Sequence, residues 1–247
     1  MDFDFKIETQ DDYQKFLKVL NSVSKNESIE DHERHVKILN TKQQVIAISM
    51  ANIRKFAKKI FKNGYESFLN ISLEKDYKSE FYEETLIQGL VIAEIKDLEI
   101  QKQYFEKWIC KIDNWSTCDS VVSTMKSLKN SKEKSKHFKF YYDLCFSPKE
   151  FVSRFGIVVL MTIFLEDEFI DKILTMCEQV KSDDYYVNMA IAWLLSFAFM
   201  KFKEKTYKLF ENKTLSKFVQ NKAISKCRDS FRVLKTDKER LVNFRIK

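Results

Sequence analysis

Residues 113–128 read DNWSTCDSVVSTMKSL. Trp115, Cys118, Val121, Val122, Met125 and Leu128 recur at three- and four-residue intervals, the spacing of one helical face, and Asp113 or Asn114 supplies a cap at its start. The spacing predicts a helix over 114–128. One side chain interrupts the apolar stripe. Asp119, four residues after Trp115 and three before Val122, falls on the edge of the buried face, over the indole. Taken alone, a half-buried carboxylate is more often a cap or an ion-pair partner than a reactive group, so its meaning rests on the rest of the chain.

Outward from that stretch, composition argues for helices throughout. The 247 residues include three Gly and one Pro, far too few for a turn-rich β architecture, while 45% hydrophobic content with 22 Phe suffices for a large core. Five cysteines (110, 118, 145, 177 and 227) form no CxxC pair and mostly fall within apolar helical patterns, as reduced thiols in an intracellular compartment do. His32, His35 and His137 make no metal set and read as surface residues, so no metal or other cofactor is expected. The opening MDFDFKIETQ is acidic and lacks a signal-peptide core, and the longest uncharged apolar run, 155–165, is too short to span a bilayer. A soluble, cytoplasmic protein with no membrane partner is expected. Charge is uneven: residues 1–125 carry 18 basic against 21 acidic side chains, residues 126–247 carry 25 against 15. A basic C-terminal half suits a polyanion.

Helices are predicted over 9–24, 29–39, 51–62 (stopped by Asn63 and Gly64), 78–95, 98–112, 131–145, 148–165, 167–181, 182–202, 203–212, 214–226 and 227–235. Gly89 is expected to permit close packing, and Trp108 to be core. Ser147, Pro148 and Glu150 read as the start of the 148–165 helix. That helix is apolar on nearly every side except at Arg154, whose guanidinium needs an acid or an external anion. Tyr186, Ala190, Trp193 and Phe197 share one side of the 182–202 helix. Lys222 with Lys226, and Arg228 with Arg232, stand at i, i+4. From residue 78 the helices pair at about 35 to 40 residues per pair, the rhythm of a HEAT-type array. The expected architecture is all-α: a right-handed α-solenoid of HEAT-like helix hairpins with a concave basic face. It forms a single domain over 1–247, with N-terminal helices over 9–40, repeats over about 43–235 and a loose tail over 236–247.

Trp115, Asp119, Arg154 and Trp193, spaced as W-x3-D, 34 residues to R and 38 to W, resemble the AlkD-type DNA alkylation repair family of HEAT-like-repeat alkylpurine DNA glycosylases. Tyr185 and Tyr186 stand where that family carries an aromatic pair, and the resemblance extends over about 40–235. It implies a monomeric glycosylase acting on double-stranded DNA that contains alkylated bases, at the nucleoid, releasing cationic purines such as 3-methyladenine and 7-methylguanine without base flipping. Trp115, Asp119 and Trp193 would meet the deoxyribose, and Arg154 a backbone phosphate. Lys222, Lys226, Arg228 and Arg232 would make weaker backbone contacts. The chain departs from the family at Ala47 and Ala51, where Gly and Pro are frequent, and at Asn188 and Met189, in place of a basic or polar pair. The alternatives are a non-enzymatic nucleic-acid-binding solenoid and a protein-interaction scaffold.

Overall fold

The computed structural model describes residues 6–23, 29–75 and 77–247. Within them every regular element is a helix, apart from one isolated bridge pairing Gln44 with Phe81. The end of the first expected helix at Ser24 and the opening residues 1–5 lie outside the described residues. The chain forms two compact units, Met1–Ser131 and Lys132–Lys247.

In the first unit, α1 (Gln10–Ser22) starts on a capping box: Asp12 N donates to the Thr9 hydroxyl, and Thr9 N donates back to the Asp12 carboxylate, each at 3.2 Å. It buries Tyr13, Phe16, Leu17 and Leu20. After α2 (Ile29–Leu39), the apolar loop 46–48 is itself buried, so its N–H groups need acceptors. Glu83 supplies them. Its carboxylate accepts from Ile46, Ala47 and Ile48 at 2.7–3.3 Å. Burial pushes the Glu83 carboxyl up in pKa, and the three N–H groups offset part of that rise. Ala47 is held there at φ 66, in the left-handed region that favours glycine.

Helix α3 (Met50–Ser72) breaks at Gly64, φ 115, where the sequence places the stop, and then resumes. It packs on α1 and on α4 (Tyr82–Ala93), which is buried throughout. Helix α4 also packs on α5 (Leu98–Trp108) and α6 (Trp115–Val122). Trp108 is core, donating to the Thr85 carbonyl at 2.9 Å. Gly89 explains the close approach: a Cβ there would lie 2.2 Å from the Trp108 ring and 2.6 Å from Val121.

The second unit opens with a 3-10 turn, Lys134–His137, and α8 (Phe138–Leu144), not the single helix expected over 131–145. Its His137 is buried, contrary to the surface position expected for it, whereas His32 and His35 are half-buried. Helix α9 (Glu150–Ile163) packs on α8. At Gly156 a Cβ would come within 2.7 Å of the Tyr141 carbonyl, and Ser153 donates to the Cys145 carbonyl at 2.7 Å. Ser147 does not cap this helix. Its hydroxyl accepts from Lys149 N, and the helix begins at Glu150. Helices α10 (Ile170–Gln179), α11 (Tyr185–Lys201), α12 (Lys203–Asn212) and α13 (Lys217–Asp229) follow, with α11 packed on α9, α12 and α13. In each unit, then, the leading helices of successive pairs touch: α4 with α6 in the first, and α9 with α11 and α11 with α13 in the second.

The C-terminal segment is not a loose tail. It forms α14 (Lys235–Val242) with Leu241 fully buried. Asp237 pairs with Lys203 at 2.9 Å, and Arg240 lies 4.1 Å from the centre of the Tyr207 ring. Gln220 donates to the Phe244 carbonyl, and Asn221 pairs with Ile246 at 2.9 Å in both directions. These are polar and cation–π contacts, so no apolar periodicity advertises them. None of the cysteines is in a disulfide: Cys118, Cys145, Cys177 and Cys227 are buried, and Cys110 is exposed.

Two substitutions test the packing in opposite directions. Ala47→Gly is expected to raise unfolding free energy by about 0.5–1 kcal/mol through relief of the positive φ. Gly89→Ala is expected to lower it by about 1–3 kcal/mol through overpacking against Trp108. Urea denaturation checks both; a stabilised Gly89→Ala would contradict the packing.

Candidate nucleic-acid interface

The residues singled out in the sequence fall in both units. In the first, Asn114 caps α6, its side chain accepting from Thr117 N at 2.9 Å. Asp113 serves elsewhere, accepting from the Thr41 hydroxyl and Lys42 N at 2.8 Å. Trp115 and Asp119 are one turn apart on α6, and both are half-buried. The indole is oriented by its N–H, which donates to the Ile38 carbonyl at the end of α2 at 3.0 Å. Tyr82 bonds Ser116 between them at 2.9 Å. Cys118, Val121 and Val122 fill the buried side.

The helix expected to run to Leu128 stops at Val122. Ser123 and Thr124 hydroxyls both donate to the Ser120 carbonyl, at 2.7 and 3.0 Å, and Thr124 N turns instead to Val121 O. Side chains competing for a main-chain acceptor in this way end helices. Arg54 seals the joint with a 2.9 Å bond to Thr124, and α7 (Lys126–Asn130) follows, burying Leu128.

In the second unit Arg154 is 5% exposed within the apolar surface of α9. Its guanidinium donates to the Tyr186 carbonyl at 3.0 Å and lies 5.9 Å from the centre of that ring. One turn earlier on α9, the Glu150 carboxylate accepts from Tyr186 N at 3.0 Å. The first turn of α11 is therefore held on both its donor and its acceptor sides by side chains four residues apart on α9. Tyr186 packs on Phe151. Tyr185, 56% exposed, meets Tyr186 and Phe218 edge-on, with centroids 5.3 and 6.1 Å away.

Positive charge gathers beside these rings. The Lys226 ammonium is held below its ordinary pKa, first by burial and then by the neighbouring charges of Lys222 and Arg154, with Asp229 opposing. Lys226 also lines an open cleft of about 420 Å³ with Trp193, Phe197, Met200, Asp229 and Arg232. Trp193 and Phe197 meet edge-on at 6.0 Å. The second i, i+4 pair is not formed on one helix: α13 ends at Asp229, so Arg232 lies in the following turn. Arg228 is exposed two residues past Lys226, about 200° round α13 from it. Asp229 and Met200 carry no mark in the sequence, because a charged or apolar residue at a helix end gives no signal that it faces a cleft.

Among the described residues, no group of three or more His, Cys, Asp or Glu is placed to hold a metal ion, and no helix is long and apolar enough to cross a membrane. An all-helical protein with a cationic, aromatic-lined cleft is of the class suited to a polyanion. The chain belongs to the family described as DNA alkylation repair enzyme, whose model matches residues 16–226. No curated protein and no solved structure matches the chain. Family membership makes it a repair enzyme with DNA as partner, in agreement with the resemblance carried by Trp115, Asp119, Arg154 and Trp193.

Replacing Arg154 by Met, which keeps volume but removes the donor, is expected to lower unfolding free energy by roughly 1.5–3 kcal/mol. The same change removes one positive charge near Lys226, so Lys226 should titrate at higher pH than in the parent protein. Urea midpoints and Nζ chemical shifts read the two effects; an unmoved Lys226 titration would separate the two side chains.

Proposed function

We propose that the protein is a DNA glycosylase that releases cationic N3- and N7-alkylated purines from duplex DNA, leaving the lesion unflipped. The carrying observation is the family match, which spans all four of Trp115, Asp119, Arg154 and Trp193. An N-alkylated purine bears a positive charge. When its bond to C1′ breaks, the electron pair passes to the purine nitrogen and neutralises that charge, so no general acid is needed. The sugar becomes oxocarbenium-like, which a carboxylate and the negative faces of aromatic rings stabilise.

In this reading Asp119 supplies the anion and aligns a water, whose oxygen bonds to C1′ as its proton passes to the Asp119 carboxylate. Trp115 and Trp193 supply ring faces. The half-buried Asp119 and Trp115, one turn apart, suit those roles. Arg154 takes the phosphate contact that the resemblance implies. Lys222, Lys226, Arg228 and Arg232 contact the backbone without reading sequence, and Tyr185 and Tyr186 give aromatic surface beside them. The helix pairs stack, within each unit, in the right-handed sense of HEAT-like repeats. The enzyme acts as a monomer in the cytoplasm, at the nucleoid, and uses no cofactor.

Incubation with methylated duplex DNA, followed by chromatography of the free bases, tests the reading. Asp119→Asn is expected to slow 7-methylguanine release by about 10²–10³-fold, with duplex affinity within about twofold of the parent, since no phosphate contact is lost. Undiminished release would remove Asp119 from the chemistry. Duplex binding with no release by the parent protein would leave a non-enzymatic nucleic-acid-binding protein.

A further inference from the structure

Between α13 and α14 lies the segment 230–234, SFRVL, which is fixed at two points. The Ser230 hydroxyl accepts from Arg232 N at 3.2 Å and reaches Met200 Sδ at 3.4 Å, while Val233 is buried. Between these anchors Phe231 stands wholly in water, at 103% of its reference exposure. Its chain neighbours on both sides, Ser230 and Arg232, line the cleft that holds Trp193. Phe231 thus stands in the chain between two residues of a cleft to which α11 brings Trp193 and Phe197, while α13 and the turn after it bring Lys226, Asp229 and Arg232.

A single exposed apolar side chain needs no explanation. This one is presented on a pinned turn, beside a cleft with room for a base, two cations for a phosphate, and the Asp229 carboxylate to accept from an exocyclic amino group. We propose that Phe231 stacks on an unpaired nucleobase, with Lys226 and Arg232 taking that nucleotide's phosphate. Stacking on an aromatic ring is tolerant of sequence, because every base offers a π-face, and it favours nucleotides already out of the double helix. The cationic wall argues for nucleic acid over an apolar peptide. The inference rests on the reading that this protein binds DNA.

Two duplexes of equal length test it, one fully paired and one carrying a single unpaired 2-aminopurine, whose fluorescence falls on stacking. The parent protein is expected to bind the bulged duplex about tenfold tighter and to quench the probe. Phe231→Ala should lose both effects and keep its affinity for the paired duplex, while Phe231→Trp keeps all three. Because the side chain is fully exposed, the alanine variant should melt with the parent protein, and a melting scan verifies this. Binding of paired duplex without preference for the bulge, or a preference that survives in Phe231→Ala, overturns the stacking site and leaves the DNA reading intact. No binding to either duplex overturns both. Phe231-dependent sedimentation with anionic phospholipid vesicles, without quenching, assigns the residue to a lipid surface instead and overturns the proposal.

Discussion

A guanidinium set in the apolar row of α9 must find an acceptor, and the organisation of the second unit follows from how Arg154 does so. Its bond to the Tyr186 carbonyl, with Glu150 taking the Tyr186 N–H, fixes the first turn of α11 against α9. That register carries Tyr185, Tyr186 and Trp193 along with it, since all three project from α11. It also puts a buried positive charge near Lys226, whose ammonium is depressed first by its own burial and then by the charges of Lys222 and Arg154. A nearly covered cation that polarises its surroundings is more costly than a surface lysine, and the cost is offset by hydrogen bonds.

The first unit solves the converse problem. There the buried charge is an acid, Glu83, and the unsatisfied groups are the amides of a loop that the fold has drawn inside. The three N–H groups stabilise the carboxylate, and the carboxylate stabilises a loop that holds Ala47 at a positive φ. Glu84, next in sequence, accepts from Tyr13 at 2.5 Å and so ties α1 to α4. Burial raises the carboxyl of Glu84 as well. Neither acid lies in the apolar stripe that holds Trp115 and Asp119; both hold the architecture of the first unit together.

Most helices were legible in the sequence because each buries one face, and the face repeats at helical spacing. The break at Gly64 was legible too, since a left-handed glycine ends a helix. The break after Val122 was not: it depends on two hydroxyls capturing one carbonyl, and Ser and Thr at those positions are compatible with a continuing helix. The C-terminal helix escaped because it is secured by Arg240 on Tyr207 and by Gln220 and Asn221, contacts between residues distant in sequence. Of the candidate site, Asp119 and Arg154 showed themselves as charges in apolar stripes. Phe231 could not, because among 22 phenylalanines nothing local distinguishes one held in water from those in the core.

If the protein excises bases as proposed, excision depends on the charge of the leaving base: a carboxylate without a general acid can release a purine that is already cationic and has little to offer a neutral one. Two otherwise identical duplexes decide this most directly, one carrying 7-methylguanine and the other hypoxanthine, with free base measured under single-turnover conditions. Release of 7-methylguanine alone is the predicted result. Release of hypoxanthine at a comparable rate, or of neither base, would contradict it.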